Sequence, residues 1–205
     1  MSIVTASALA SWLKIPDTED DTRLASAAAA TNRAIARHCG RTFETTTTAS
    51  DSDVRTFTPK TWSICYADDF WTTTGLVVKI DEDDDGTYET TLSASDYFAE
   101  EPEGLERALD FPYRKLISQT LLFPTCNRRR SSVQVTAAWG WASVPADVTL
   151  AGLIKGAALF KRADSPEGVL GGFQDFGAVR VGSRDPDVVE LLKNYRTAEA
   201  QMLVT

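Results

Sequence analysis

The chain has 205 residues, 43% hydrophobic and 24% charged, within the range of globular chains long enough to bury a core without disulfide or metal support. Its 29 acidic against 21 basic side chains leave a net charge of -8. That balance argues against a tight phosphate-gripping nucleic-acid binder, which needs Lys and Arg to displace condensed counterions, and it favours solubility.

From the N-terminus, Thr5 caps a short expected helix with Leu9, Trp12 and Leu13 on one face and a stop at Pro16. Asp17, Thr18, Glu19, Asp20 and Asp21 then place negative charge where the next helix begins, as its dipole favours. In that second helix Leu24, Ala28, Thr31 and Ile35 form the buried face, Arg23, Arg33 and Arg37 lie on other sides, and Gly40 ends it. The run Ala27 to Ala30 keeps the helix slim enough for a close neighbour, although alanine is also simply the best helix former.

From Thr42 to Ala138 the composition turns to Thr, Val, Tyr and Phe, with breaks at Pro59, Gly75, Gly86, Gly104 and Pro124. Strands are expected near Arg55 to Thr58, Ser63 to Tyr66, Leu76 to Asp81, Tyr88 to Leu92, Arg114 to Ser118 and Val133 to Ala138. The run Thr45 to Thr48 reads equally as strand or surface segment.

Helix returns at Pro145, with Asp147 near its positive end and Val148 to Phe160 apolar nearly all round, so that burial on most sides is expected before Lys161, Arg162 and Pro166 close it. A loop with Gly168, Gly171, Gly172 and Gly177 follows. Asp185 and Pro186 then start a last helix whose stripe is Val188, Leu191, Leu192 and Tyr195. The fold class is α+β: a small α-helical bundle formed by both chain ends, residues 1–42 and 139–205, with a β-rich insertion over residues 43–138.

Signals for chemistry are few. Cys39, Cys65 and Cys126 are far apart, without a CxxC pair or a nearby histidine, and read as reduced thiols of a cytoplasmic protein. The first residues show no charged-then-apolar leader, and no apolar run approaches the roughly 18 residues of a membrane span. Asp81-Glu82-Asp83-Asp84-Asp85-Gly86 satisfies the DxDxDG opening of a calcium loop, but Leu92 stands where that loop needs a bidentate glutamate. Strand-like flanks favour an acidic hairpin turn ending in Asp-Gly, with weak cation binding as the lesser reading.

His38, the single histidine, falls at a helix C-terminus, where a polar or cationic side chain is ordinary. No nucleophile elbow, Walker loop, HExxH or strand-borne GxGxxG occurs, so no enzyme and no cofactor are expected. Arg128, Arg129 and Arg130 form either a solvated loop or a contact to an acidic partner or to passing DNA. Trp139 and Trp141 suit core packing or an interface.

Trp139-Gly140-Trp141 followed by Val144-Pro145 and a helix resembles the C-terminal half of head-to-tail connector proteins of long-tailed bacteriophages. The resemblance continues through Phe160-Lys161-Arg162-Ala163-Asp164-Ser165-Pro166-Glu167-Gly168, Phe176-Gly177-Ala178-Val179-Arg180-Val181, Asp185-Pro186-Asp187-Val188 and Leu191-Leu192 to Tyr195-Arg196. Ile35 to Phe43 is similar to the family's turn out of its long helix, in the right order along the chain. Small members join the helices by a short hairpin, whereas residues 43–138 intervene here.

The resemblance implies a virion neck component, assembled in the host cytoplasm as a homo-oligomeric, dodecameric ring. It would sit under the portal protein, extend the channel for genomic DNA without binding it specifically, and dock a head-closure or tail-terminator protein, with no membrane. Portal or inter-subunit contacts are expected at Arg180, Asp185, Tyr195, Trp139 and Trp141. A head-closure or tail-completion neck protein is the alternative, and a metal-dependent enzyme or calcium module a more distant one.

Overall fold

The computed structural model describes residues 2–44, 49, 53–120, 123–125, 131–162 and 185–197. Among them are five α-helices and one six-stranded antiparallel sheet, an α+β fold. The chain divides into two compact units, Thr42–Ser143 and Ser2–Arg41 with Val144–Thr205.

In the helical unit, α1 (Ala6–Leu13) starts on Thr5, whose hydroxyl accepts the Ala8 N–H at 3.1 Å. It ends before Pro16: Lys14 turns left-handed at φ 58°, and the Ile15 N–H closes back on the Ala10 carbonyl at 3.0 Å. Of its expected face only Leu9 is fully buried, and Trp12 stands half-exposed.

Helix α2 (Asp21–Cys39) buries Leu24, Ala27, Ala28, Thr31, Ile35 and Cys39, the expected face extended by one turn, and Gly40 caps it through the Ala36 carbonyl. Helix α4 (Ala146–Arg162) packs on α1 and α2. It buries Val148, Ala151, Gly152, Gly156, Ala157 and Phe160, while Leu150 is exposed and Leu153, Ile154 and Leu159 are only partly covered. Between Val148 and Phe160 only Leu150 is exposed, so burial reaches most sides of the helix, as expected.

Helix α5 (Pro186–Leu192) packs on α4 and runs into a 3-10 turn, Lys193–Tyr195. The Asp185 carboxylate accepts the Asp187 N–H at 3.0 Å, and Pro186 occupies the first turn.

The other unit is built on the sheet. Its strands are β1 (Val54–Phe57), β2 (Ile64–Ile80), β3 (Thr90–Thr91), β4 (Tyr97–Ala99), β5 (Tyr113–Ser118) and β6 (Val133–Trp139). They pair in the order β1-β6-β2-β5-β4, with β3 also on β2. The five-residue helix α3 (Gly104–Ala108) lies between β4 and β5.

β2 corrects the sequence reading most. Ser63 to Tyr66 and Leu76 to Asp81 belong to one strand of 17 residues. Its first half pairs with β5 and its second with β6, and Phe70 lies opposite both Tyr113 and Trp139. The stretch between Thr72 and Val77 is a register shift containing Gly75 at φ 75°, which looks like a turn in sequence because its residues leave the regular ladder without leaving the strand.

Tyr88 to Leu92 shrinks to the two residues of β3, whereas β4 and α3 have no counterpart in the sequence reading. Trp139 is the last residue of β6 and Trp141 lies within Thr42–Ser143, so both belong to the sheet unit, beyond the 138/139 boundary read from sequence.

Candidate assembly surface

The core of the sheet unit forms on one face, from Cys65, Ala67, Phe70, Val78, Leu116, Val133, Val135 and Trp139 among others. Strand alternation then forces their neighbours outward. Ile64 and Tyr66 on β2, Ile117 and Lys115 on β5, and Phe98 on β4 share that outer face, since Ile64 pairs with Ile117, Tyr66 with Lys115 and Phe98 with Ile117. Tyr66 and Phe98 are each 47% exposed, and Trp62 just before β2 is 55% exposed.

Three aromatics left in water around a partly covered isoleucine pair make a patch of the kind that marks interaction sites. Lys60 places its ammonium 5.5 Å from the Tyr66 ring centroid, and Lys115 is bound to Glu100 at 2.8 Å. Leu105 on α3 is 61% exposed, between the exposed Glu103 and Glu106.

Two of the expected contact residues lie in the core of the sheet unit. Trp139 and Trp141 are each only 1% exposed. The Trp139 indole donates to the Asp53 carbonyl, and its ring carries the Arg55 guanidinium at 4.5 Å and Phe57 at 5.7 Å. Trp141 meets the tilted Phe43 ring at 5.3 Å and Phe111 edge-on at 4.8 Å, between centroids.

Asp69, buried on β2, ties this corner together. Its carboxylate accepts from the Trp141 indole at 3.3 Å and faces Arg114 Nε at 3.3 Å, while its carbonyl accepts the Gly140 N–H at 2.7 Å. Gly140 has φ 93°, which lets the chain reverse between the two indoles without a Cβ clash. The tryptophans are therefore packing elements of the sheet unit in this conformation.

Tyr195 is also buried, and its hydroxyl donates to Asp147 at 3.4 Å. Burial, then the Asp147 charge and that hydrogen bond, push its pKa up. Asp185 is exposed and caps α5. Arg180, the glycine-rich loop Gly168 to Gly177, Arg128 to Arg130, Cys126 and Thr45 to Thr48 lie outside the described residues.

In the acidic segment, Asp81, Asp83 and Glu89 bring carboxylate oxygens within 4.8 Å of one another. Both oxygens of the buried Asp81 already accept backbone N–H groups, from Asp85 at 3.2 Å and Gly86 at 2.8 Å. Leu92 is buried and donates its N–H to the Val78 carbonyl. The segment thus closes on itself as the connection between antiparallel strands β2 and β3. Burial pushes the Cys39 and Cys65 thiols up to about 12, which leaves them protonated and unreactive at neutral pH. Among the described residues no helix is long and apolar enough to cross a membrane.

The sequence reading missed Asp69, Phe43, Phe111 and the outer row. Alternation from Ile64 to Asp68 carried a signal for Tyr66 facing outward, but nothing local pairs Phe98 with Ile117. No family model and no curated protein matches the chain. Its fold is similar to that of a chain from the neck of an empty GTA particle computed with C6 symmetry, with TM-score 0.57 and 14% identity over 96% of this chain and 90% of that one.

Proposed function

We propose that the chain is a structural neck protein of a phage-like particle, without enzymatic activity. It forms a homo-oligomeric ring between portal and tail, extends the DNA channel and offers the docking surface for the next neck or tail protein. The observation that carries this reading is the fold likeness to a chain from the neck of a GTA particle, which spans 96% of the chain and includes the sheet unit that a short-hairpin connector lacks.

The net charge of -8 suits a channel through which DNA slides rather than sticks. Arg180 and Asp185 remain the proposed portal or neighbour contacts; the buried Tyr195, Trp139 and Trp141 would act by holding the elements that carry such contacts. A head-closure or tail-completion neck protein is the second reading, because a particle's neck includes those positions too.

Negative-stain microscopy and light-scattering mass on the purified protein, alone and with its portal, test the proposal. Rings, alone or on addition of portal, are expected. A monomer that ignores the portal overturns it.

A further inference from the structure

Resting on the ring reading above, we propose that neighbouring copies meet through the sheet unit, the outer apolar row of one copy receiving the acidic turn around Leu105 of the next. The two surfaces are complementary in polarity and in charge. The row presents Tyr66 and Phe98 around the Ile64–Ile117 pair, with Lys60 lying over Tyr66 and Trp62 exposed in the turn that leads into β2. The turn presents Leu105, the most exposed large hydrophobic residue among those described, between Glu103 and Glu106. An apolar knob with an acidic rim thus faces an apolar seat with a basic rim.

Charge also selects the occupant and the symmetry. On a chain of net charge -8, a seat that carries the Lys60 ammonium over its aromatic surface is matched by the acidic turn of another copy of that chain. A contact of row on row would leave Glu103 and Glu106 of both copies outside it. A contact of row on turn brings Lys60 to Glu103 and Glu106 instead. Such a contact joins unlike surfaces and leaves each copy with one of each free, the arrangement that propagates into a ring.

Size explains why the contact is made in assembly rather than in a free pair. Three half-exposed aromatics offer roughly 300 Å² of apolar surface, against about 800 Å² per partner in a standard stable complex. One such contact holds two copies weakly, and ring closure or the portal supplies the rest.

Charge reversal and cross-linking test the pairing. Lys60→Glu, or Glu103→Lys with Glu106→Lys, is expected to raise the concentration needed for ring formation about tenfold or more, and the three changes together to restore it. Lys60, Glu103 and Glu106 are all exposed, so these variants should melt close to the wild type. In a Cys126→Ser background, where Cys39 and Cys65 are buried, Phe98→Cys protein mixed with Leu105→Cys protein should form a mixed disulfide dimer on mild oxidation. Neither variant should do so alone, and a chain carrying both should give a ladder.

Wild-type rings with undiminished assembly of the reversed variants and no mixed disulfide overturn the pairing and leave the ring reading standing. Disulfides within a single variant show a twofold contact and overturn it as well. A wild type that forms no ring with or without portal removes the ring reading and this inference together.

Discussion

Gly152→Ala should destabilise the helical unit although it improves helix propensity. An alanine in a helix interior is favoured over glycine by about 1 kcal/mol. At position 152 the added Cβ would lie 2.4 Å from Val4 Cγ2 and 3.2 Å from Ile3 Cγ2. Val4 cannot retreat cheaply. Its side chain is β-branched with little rotamer freedom, and Asn32 holds its backbone on both sides, accepting its N–H at 3.0 Å and donating to its carbonyl at 2.9 Å.

Overpacking of that severity costs about 2–3 kcal/mol, so the net loss is about 1–2 kcal/mol, or roughly 4–16 °C in Tm for a unit of this size. Gly156→Ala is the internal control. There the nearest atoms are the Leu9 methyls at 3.2 and 3.4 Å and Thr31 Oγ1 at 3.4 Å, and leucine ends can give, so the change should fall within about 0.5 kcal/mol of wild type. Urea and thermal melts followed by far-ultraviolet circular dichroism measure both, and Val4→Ala combined with Gly152→Ala should recover part of the loss. A Gly152→Ala protein as stable as wild type would show that the N-terminal segment does not press on α4, and would refute the reasoning.

Four further outcomes are expected. Asp69→Ala should cost about 2–4 kcal/mol by leaving Trp141 and Arg114 facing an empty site, and Asp69→Asn should cost less because an acceptor oxygen remains; chemical denaturation compares the two. Asn32→Ala should cost about 1–3 kcal/mol, read the same way, because both bonds to the Val4 backbone are lost. Cys39 and Cys65 should resist a thiol reagent at pH 8 in the native protein and react on unfolding. With folded values raised from 9.0 to about 12, the unfolded thiols lose their protons first, so stability should fall as pH climbs from 9 towards 12. Calorimetric titration should give no calcium heat in the micromolar range, since the buried Leu92 stands where a tight calcium loop needs a bidentate glutamate.

Helices α1, α2, α4 and α5 were legible because their signals are local, whereas α3 was not read at all. Thr5, Gly40 and the Asp185-Pro186 pair act on backbone groups within one turn, and the α2 face follows from spacing alone. The burial of α4 on most sides was legible from its composition, but which helix covers each side was not, because an apolar surface does not name its partner. The outer row of the sheet unit was legible only at Tyr66, where alternation within one strand sufficed.

In α1, α2, α4 and α5, segment type and capping are set by interactions among residues three to five apart, and there the amino-acid order alone specified them. The continuity of β2 through Gly75, the burial of Trp139 and Trp141 and the bond from Asp69 to Trp141 depend on partners far along the chain; Asp69 and Trp141 are 72 residues apart. Those partners meet only once the strands pair. Whether an indole is a contact or a packing element was therefore decided by folding, which placed Phe43, Phe111 and Asp69 around it.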